Sequence, residues 1–280
     1  MRKVKNVLHS LVFNYFDHSV AKNAAALAYY LLFALFPLMI FFSNLLGTLE
    51  LNVFAITKAL DRVLPDAVVD IAESYLEYVS LNSSRVLMWF SLVFSVWFPM
   101  RAVKGLMDDV RRAYELPAPK KPIRYIIKQL LFTVVFLVVI VLTLFLATVG
   151  ERLLVYLDKV LPESIFGISD YFINLWQYLR FGVIAFLMLF ATGILYLASF
   201  DEKRPVKTVI PGICTALILW VVLSIGFSFY VENFANYSLI YGTLGAIIIL
   251  LIWLYMTAVI LIMGAELNSA IDKFKNSRER

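Results

Sequence analysis

The chain has 280 residues, of which 62% are hydrophobic, 15% aromatic and 16% charged, with a formal net charge of +5 and a mean hydropathy of +0.84. Soluble domains carry about 25% charged residues, so an ordinary soluble fold is excluded. The cations fall between apolar runs, which points to lipid headgroups rather than nucleic acid as their partner.

Residues 1 to 23 are polar and basic, with Leu8, Leu11, Val12, Tyr15 and Phe16 at helical spacing. This predicts an amphipathic helix on the membrane surface. The first apolar run, Ala24 to Gly47, is too long for a signal-peptide core and has no small-residue cleavage site after it. It reads as a span (24–47), with Pro37 expected to kink it. Residues 52–80 are too charged to span and predict outer amphipathic helices.

A second span (86–103) is short and runs into Arg101. Helical spacing continues beyond it to Tyr114, with Asp108 and Arg112 expected to pair at i, i+4. The Pro-rich PAPKKP stretch ends it. The third span is 130–150 and the fourth 181–200, with a second outer amphipathic segment at 151–176 between them. The turn DEKRPVK leads to the fifth span (208–231), whose Pro211 is expected to kink or pack it. Cys214 lies in this apolar run and reads as a packing residue; as the single cysteine it excludes an internal disulfide or a cysteine-rich metal site. The sixth span (239–265) sits in a stretch, Tyr237 to Ala265, without one charged residue. At about 1.5 Å per residue that is roughly 43 Å of helix, more than the roughly 30 Å bilayer core.

Six spans divide the cations unequally. Of the 25 Lys and Arg residues, 19 fall on the side of the two termini. The bias predicts both termini in the cytoplasm. The expected fold is all-α: a single polytopic membrane domain over residues 1–280, N-in and C-in, with amphipathic interfacial helices. LDRVLPD (60–66) resembles LDKVLPE (157–163), which marks either a duplicated two-span unit or two similar amphipathic helices ending at proline.

Glu266, at the inner end of the sixth span, is the first candidate site. It could pair with a cation, couple a proton or sit in headgroup water; Lys22, Arg101 and Lys104 are the cations nearest in predicted depth. Asn23 with Lys22 reads as a polar mouth or as interfacial anchors. Asn44 reads as a helix–helix hydrogen bond. Asn236, Tyr237 and Tyr241 form an outer polar mouth or an aromatic interface. Gly242, Gly245 and Gly264 would allow close helix packing. The two histidines, His9 and His18, both lie near the N-terminus, so no histidine-based metal centre is expected in the core. There is no Walker loop and no G-x-S-x-G. No cofactor and no catalytic constellation are expected.

NAAALAYYLLFALFPL (23–38), PGICTALILW (211–220) and YGTLGAIIILLIWLYMTAVILIMGAELN (241–268) resemble the YihY/BrkB family of bacterial inner-membrane proteins. The likeness covers nearly the whole chain and is most specific in the last span. Tyr29, Pro37, Tyr241, Gly242, Gly245, Gly264, Glu266 and Asn268 match its pattern. The resemblance implies six spans, the inner membrane, and a transporter linked to envelope lipids; an older ribonuclease label was attached to relatives, and nothing in the residues supports it. The expected function is transport of a solute or of a lipid-like amphiphile. The alternative is a non-transporting scaffold that docks envelope proteins or a second copy of itself.

Overall fold

Apolar sequence becomes helix wherever the chain is described, because a backbone in lipid satisfies its own hydrogen bonds most simply within a helix. The computed structural model describes residues 2–48, 69–70, 74, 85–160, 170–234 and 243–276. Among these, seven helices follow one another: α1 (Arg2–Asp17), α2 (Val20–Thr48), α3 (Arg85–Ala113), α4 (Pro122–Val160), α5 (Asp170–Ala198), α6 (Ile210–Phe234) and α7 (Thr243–Asn276). Four stretches are long and apolar enough to cross a membrane: Val20–Phe41, Pro122–Thr143, Ile210–Val231 and Leu244–Lys275. Gly182–Ala198 is a shorter apolar helix.

Helix α7 is the central element and packs on α1, α2, α3 and α6. Small buried residues, Ala258, Gly264, Ala265 and Ala270, bring its neighbours close. Gly245 is buried in its first turns. The most extensive pairing joins α2 to α3, through Val20, Ala24 and Leu27 against Val103, Leu106 and Met107. Helix α4 packs on α3 and α5, and α5 also on α6. Helix α1 is tied to α7 and α2, while Val12, Phe13 and Phe16 face outward, Phe16 to 74%. Such an outward apolar face belongs in the headgroup boundary.

Several expectations change here. Residues 151–160 continue α4 and residues 170–176 open α5. Pro211 is the second residue of α6, where a proline is pre-organised and lacks only an N–H that the helix start does not use; it starts a helix rather than kinking one. Pro37 lies within α2. Cys214 is exposed rather than packed, because α6 turns Gly212 and Ile213 inward. Helix α7 does not stop near Ala265 but runs on to Asn276, so Glu266 is not at a helix C-terminus and does not oppose the macrodipole there. The expected sites at Asn44, Asn236, Tyr237, Tyr241 and Gly242, the helices of 52–80 apart from residues 69–70 and 74, and the 60–66 repeat fall outside the described residues or side chains.

Candidate functional site

The site grows from the turn between α1 and α2. His18 and Ser19 break the helix, Ser19 in the left-handed region at φ 54°. The N–H groups of His18 and Ser19 donate to the carbonyls of Asn14 (2.9 Å) and Phe16 (3.1 Å). The His18 carbonyl accepts from Asn23 Nδ2 (3.1 Å) and from Arg112 (3.3 Å). A helix end left without partners would be costly away from water. Here α2 and α3 supply them, and His18 is fixed against the bundle.

His18 and Asn14 are one helical turn apart and reach the same carboxylate. Glu266, only 1% exposed, accepts from Asn14 Nδ2 at 2.8 Å on Oε2. With its ring proton assigned to Nδ1, His18 donates to Oε1 at 2.6 Å. A buried carboxylate needs such partners. The expected cations are not the partners. Lys22 and Lys104 are exposed, and the Arg101 guanidinium stacks over Trp97, 5.2 Å from the ring centre. Successive helical residues differ by about 100°. Once Asn23 faces α3, Lys22 must face out.

A second buried acid lies beside the first. Asp109 of α3, 5% exposed, accepts on Oδ1 from Asn23 Nδ2 (2.8 Å) and Arg112 (3.2 Å). Burial pushes its carboxyl from 3.8 up to about 7; Arg112 opposes this, Asp108 and Glu266 add to it, and the Asn23 bond lowers it. The expected Asp108–Arg112 pair is replaced by Asp109–Arg112 at i, i+3. Asp108 instead accepts from the Tyr125 hydroxyl at 2.8 Å, because α4 packs against that face of α3.

A cleft of about 460 Å³ adjoins this cluster, lined by His18, Asp108, Arg111, Arg112, Glu115 and Pro117 among others. Its walls are fixed by groups that finish helices. Arg111 donates to the carbonyls of Ser199 (2.8 Å) and Pro117 (2.5 Å) and to Asp201 (3.0 Å). Lys128 donates to the carbonyls of Ala198 (3.0 Å) and Phe200 (2.9 Å). Two cations therefore meet the free carbonyls and negative dipole end of α5. Arg111 holds the Asp201 carboxyl below its usual range. Glu115 closes α3 in the left-handed region at φ 52° and pairs with Lys273 of α7 at 2.7 Å, which lowers its carboxyl likewise.

The structure thus brings together Glu266 and Asn23 from the predicted set, and leaves out Lys22, Arg101 and Lys104. It adds Asn14, His18, Asp109 and Arg112. The signal for the first two was present: Asn14 and His18 sit at i, i+4 and interrupt the amphipathic pattern of α1. Nothing in sequence spacing joins them to Glu266, which is 248 positions from His18.

A family model described as Virulence factor BrkB matches residues 12–280. The chain is similar to the ribonuclease-like protein YfkH of Bacillus subtilis (strain 168), 29% identical over 268 residues, 96% of this chain and 96% of that protein. It is also similar to a UPF0761 membrane protein of Alkalilimnicola ehrlichii, 26% identical over 272 residues, 92% of this chain and 56% of the relative. A UPF0761 membrane protein of Pseudoalteromonas translucida is 29% identical over 119 residues, 42% of this chain and 37% of the relative. The chain spans nearly all of YfkH and about half or less of these UPF0761 proteins. No solved structure matches it.

Proposed function

This chain belongs to the BrkB family of membrane proteins, and from that membership and the geometry of its polar end we propose that it moves a lipid-like amphiphile across the bacterial inner membrane. The observation that carries the reading is the buried polar cluster of Asn14, His18, Asn23, Asp109 and Glu266, which adjoins a cleft at one end of an apolar bundle. Burying two carboxylates is costly, and in a membrane such groups are functional by default. The described span centres carry no charge, which suits an amphiphile better than an inorganic ion.

In this reading α2 to α7 are six spans, with Gly182–Ala198 and the first part of α3 as the two that are short or less apolar. The polar cluster marks the cytoplasmic end, together with both termini. Support comes from the distribution of 19 of 25 cations toward that side. It comes also from the contacts that tie the start of α2, the end of α3 and the far part of α7 together there. No ribonuclease step belongs to the reading.

Purified protein in liposomes tests it. Headgroup-labelled lipid should cross faster than in protein-free vesicles, and Glu266→Gln should slow the crossing. Equal rates with and without protein, for lipids and for amphiphilic solutes under any gradient, would sink the idea. A scaffold that docks partners through the basic 101–128 arm is the weaker reading, because Arg111, Lys120 and Lys128 of that arm are engaged inside the chain.

A further inference from the structure

We propose that Asp109, Glu266 and His18 form a proton-binding site whose occupancy decides whether helix α1 stays docked on the bundle. The inference goes beyond translocation and holds whether or not a substrate moves.

The geometry has three parts. Two buried carboxylates come from different helices, Asp109 from α3 and Glu266 from α7. Two side-chain hydrogen bonds to α7, from Asn14 of α1 and from His18 just past its end, finish on Glu266, beside a contact of Tyr15 with Tyr255. Both bonds received by Asp109 end on Oδ1, so a proton on Oδ2 leaves them intact.

The charged surroundings set the direction. The end of α1 contributes Asp17 and the turn after it His18, with the Asp17 carboxylate 3.8 Å from His18 Nε2. Helix α2 contributes the neutral Asn23, its Lys22 being exposed. Helix α3 contributes Asp108, Asp109 and the half-exposed Arg112, while Arg111 is committed to Asp201. Glu115 follows α3 and is neutralised by Lys273 of α7. Acids outnumber cations around the pair. Ionised together, Asp109 and Glu266 repel each other, as the upward push of Glu266 on Asp109 records. One proton on Asp109 removes that repulsion and leaves Glu266 free to hold α1. As pH rises, Asp109 ionises and the second buried charge loosens the α1 anchor. His18 lines the cleft and its side chain is 12% exposed, which gives the proton a path to water.

The test uses the full chain in lipid nanodiscs. Infrared titration follows the protonated-carboxyl band, and a spin-label pair at Asn6→Cys and Lys275→Cys, both exposed, in a Cys214→Ala background follows α1. In the parent, one carboxyl should lose its proton with a midpoint near pH 7, and Asp109→Asn should lack that component. Glu266→Gln should move the midpoint down, and Arg112→Gln should move it up. The label distance should be narrow at about pH 6 and at least twice as broad at about pH 8.5, on either side of the titration. In Asp109→Asn it should stay narrow at both. A label distance that ignores pH in the parent, a pH response that survives Asp109→Asn, or a midpoint unmoved in both Glu266→Gln and Arg112→Gln would overturn the proposal.

Discussion

The side chain of Asn268 caps a helix to which it does not belong. From α7 its Oδ1 accepts from the Gly212 N–H of α6 at 2.6 Å, and its Nδ2 donates to the Val209 carbonyl at 3.0 Å. The first N–H groups of a helix have no partner within it, and Pro211 lacks one altogether. A buried amide from the neighbouring helix fills the gap with both of its ends, at 1% exposure. Asn268→Ala should therefore cost about 1–2 kcal/mol, as loss of a cap does. Thermal unfolding in detergent checks it. Asn268→Asp should cost more, since it removes the donor to Val209 and buries a charge.

The same crossing depends on glycine for space rather than for backbone freedom. A Cβ on Gly212 would collide with the Gly264 carbonyl and come within 2.6 Å of the Asn268 amide; one on Gly264 would lie 2.9 Å from the Gly212 carbonyl and the Tyr196 hydroxyl. Backbone cannot step aside as a flexible side chain can. Gly212→Ala should lower the melting temperature sharply or abolish folding, at a cost of about 1–3 kcal/mol or more. Gly226→Ala, where a Cβ meets nothing within 4 Å, should be neutral or stabilising by up to about 1 kcal/mol. Equal behaviour of the two variants would refute the close-approach argument.

The partner of Glu266 can be read by a double-mutant cycle. His18→Ala leaves a buried carboxylate short of one hydrogen bond and should cost about 3–5 kcal/mol. In Glu266→Gln the same substitution should cost clearly less, giving a coupling of about 1–3 kcal/mol. Lys22→Gln should stay within about 0.5 kcal/mol in either background. A larger coupling to Lys22 than to His18 would mean that the contact is wrongly assigned.

Asp109 makes stability depend on pH in a defined direction. Its folded carboxyl keeps a proton up to about 7, against an ordinary 3.8. Between those values the folded chain binds more protons than the unfolded one, so stability falls as pH rises through the window and levels off above it. Asp109→Asn should flatten the slope. The stability difference between variant and wild type should move in the variant's favour by about 2–4 kcal/mol from pH 4 to pH 8. Chemical denaturation across that range measures it, and a slope of the opposite sign would contradict the burial argument.

Much of this protein is written in local sequence. Apolar runs such as Ala24–Gly47 and Tyr237–Ala265 fix the helical class, because lipid offers the backbone little other choice. The helical spacing of Leu8, Leu11, Val12 and Tyr15 is enough to predict α1, and the small residues of the last stretch are enough to predict close packing, though not that α7 is the central helix. The family pattern was legible in the same stretch. What could not be read was which polar groups meet. Asn23 and Lys22 are adjacent in the chain, yet only Asn23 reaches the site, and the difference is the rotation of α2 against α3. Glu266 looked like the end of a helix and lies well inside one, because Ala265 and Ala270 keep α7 packed where charge alone suggested solvent. His18 reaches Glu266 only because Ser19 turns the chain and α7 returns beside α1. Hydrophobicity and helix spacing are properties of a few consecutive residues, whereas the partners of a buried charge are set by helices packed side by side, and only the tertiary structure decides those.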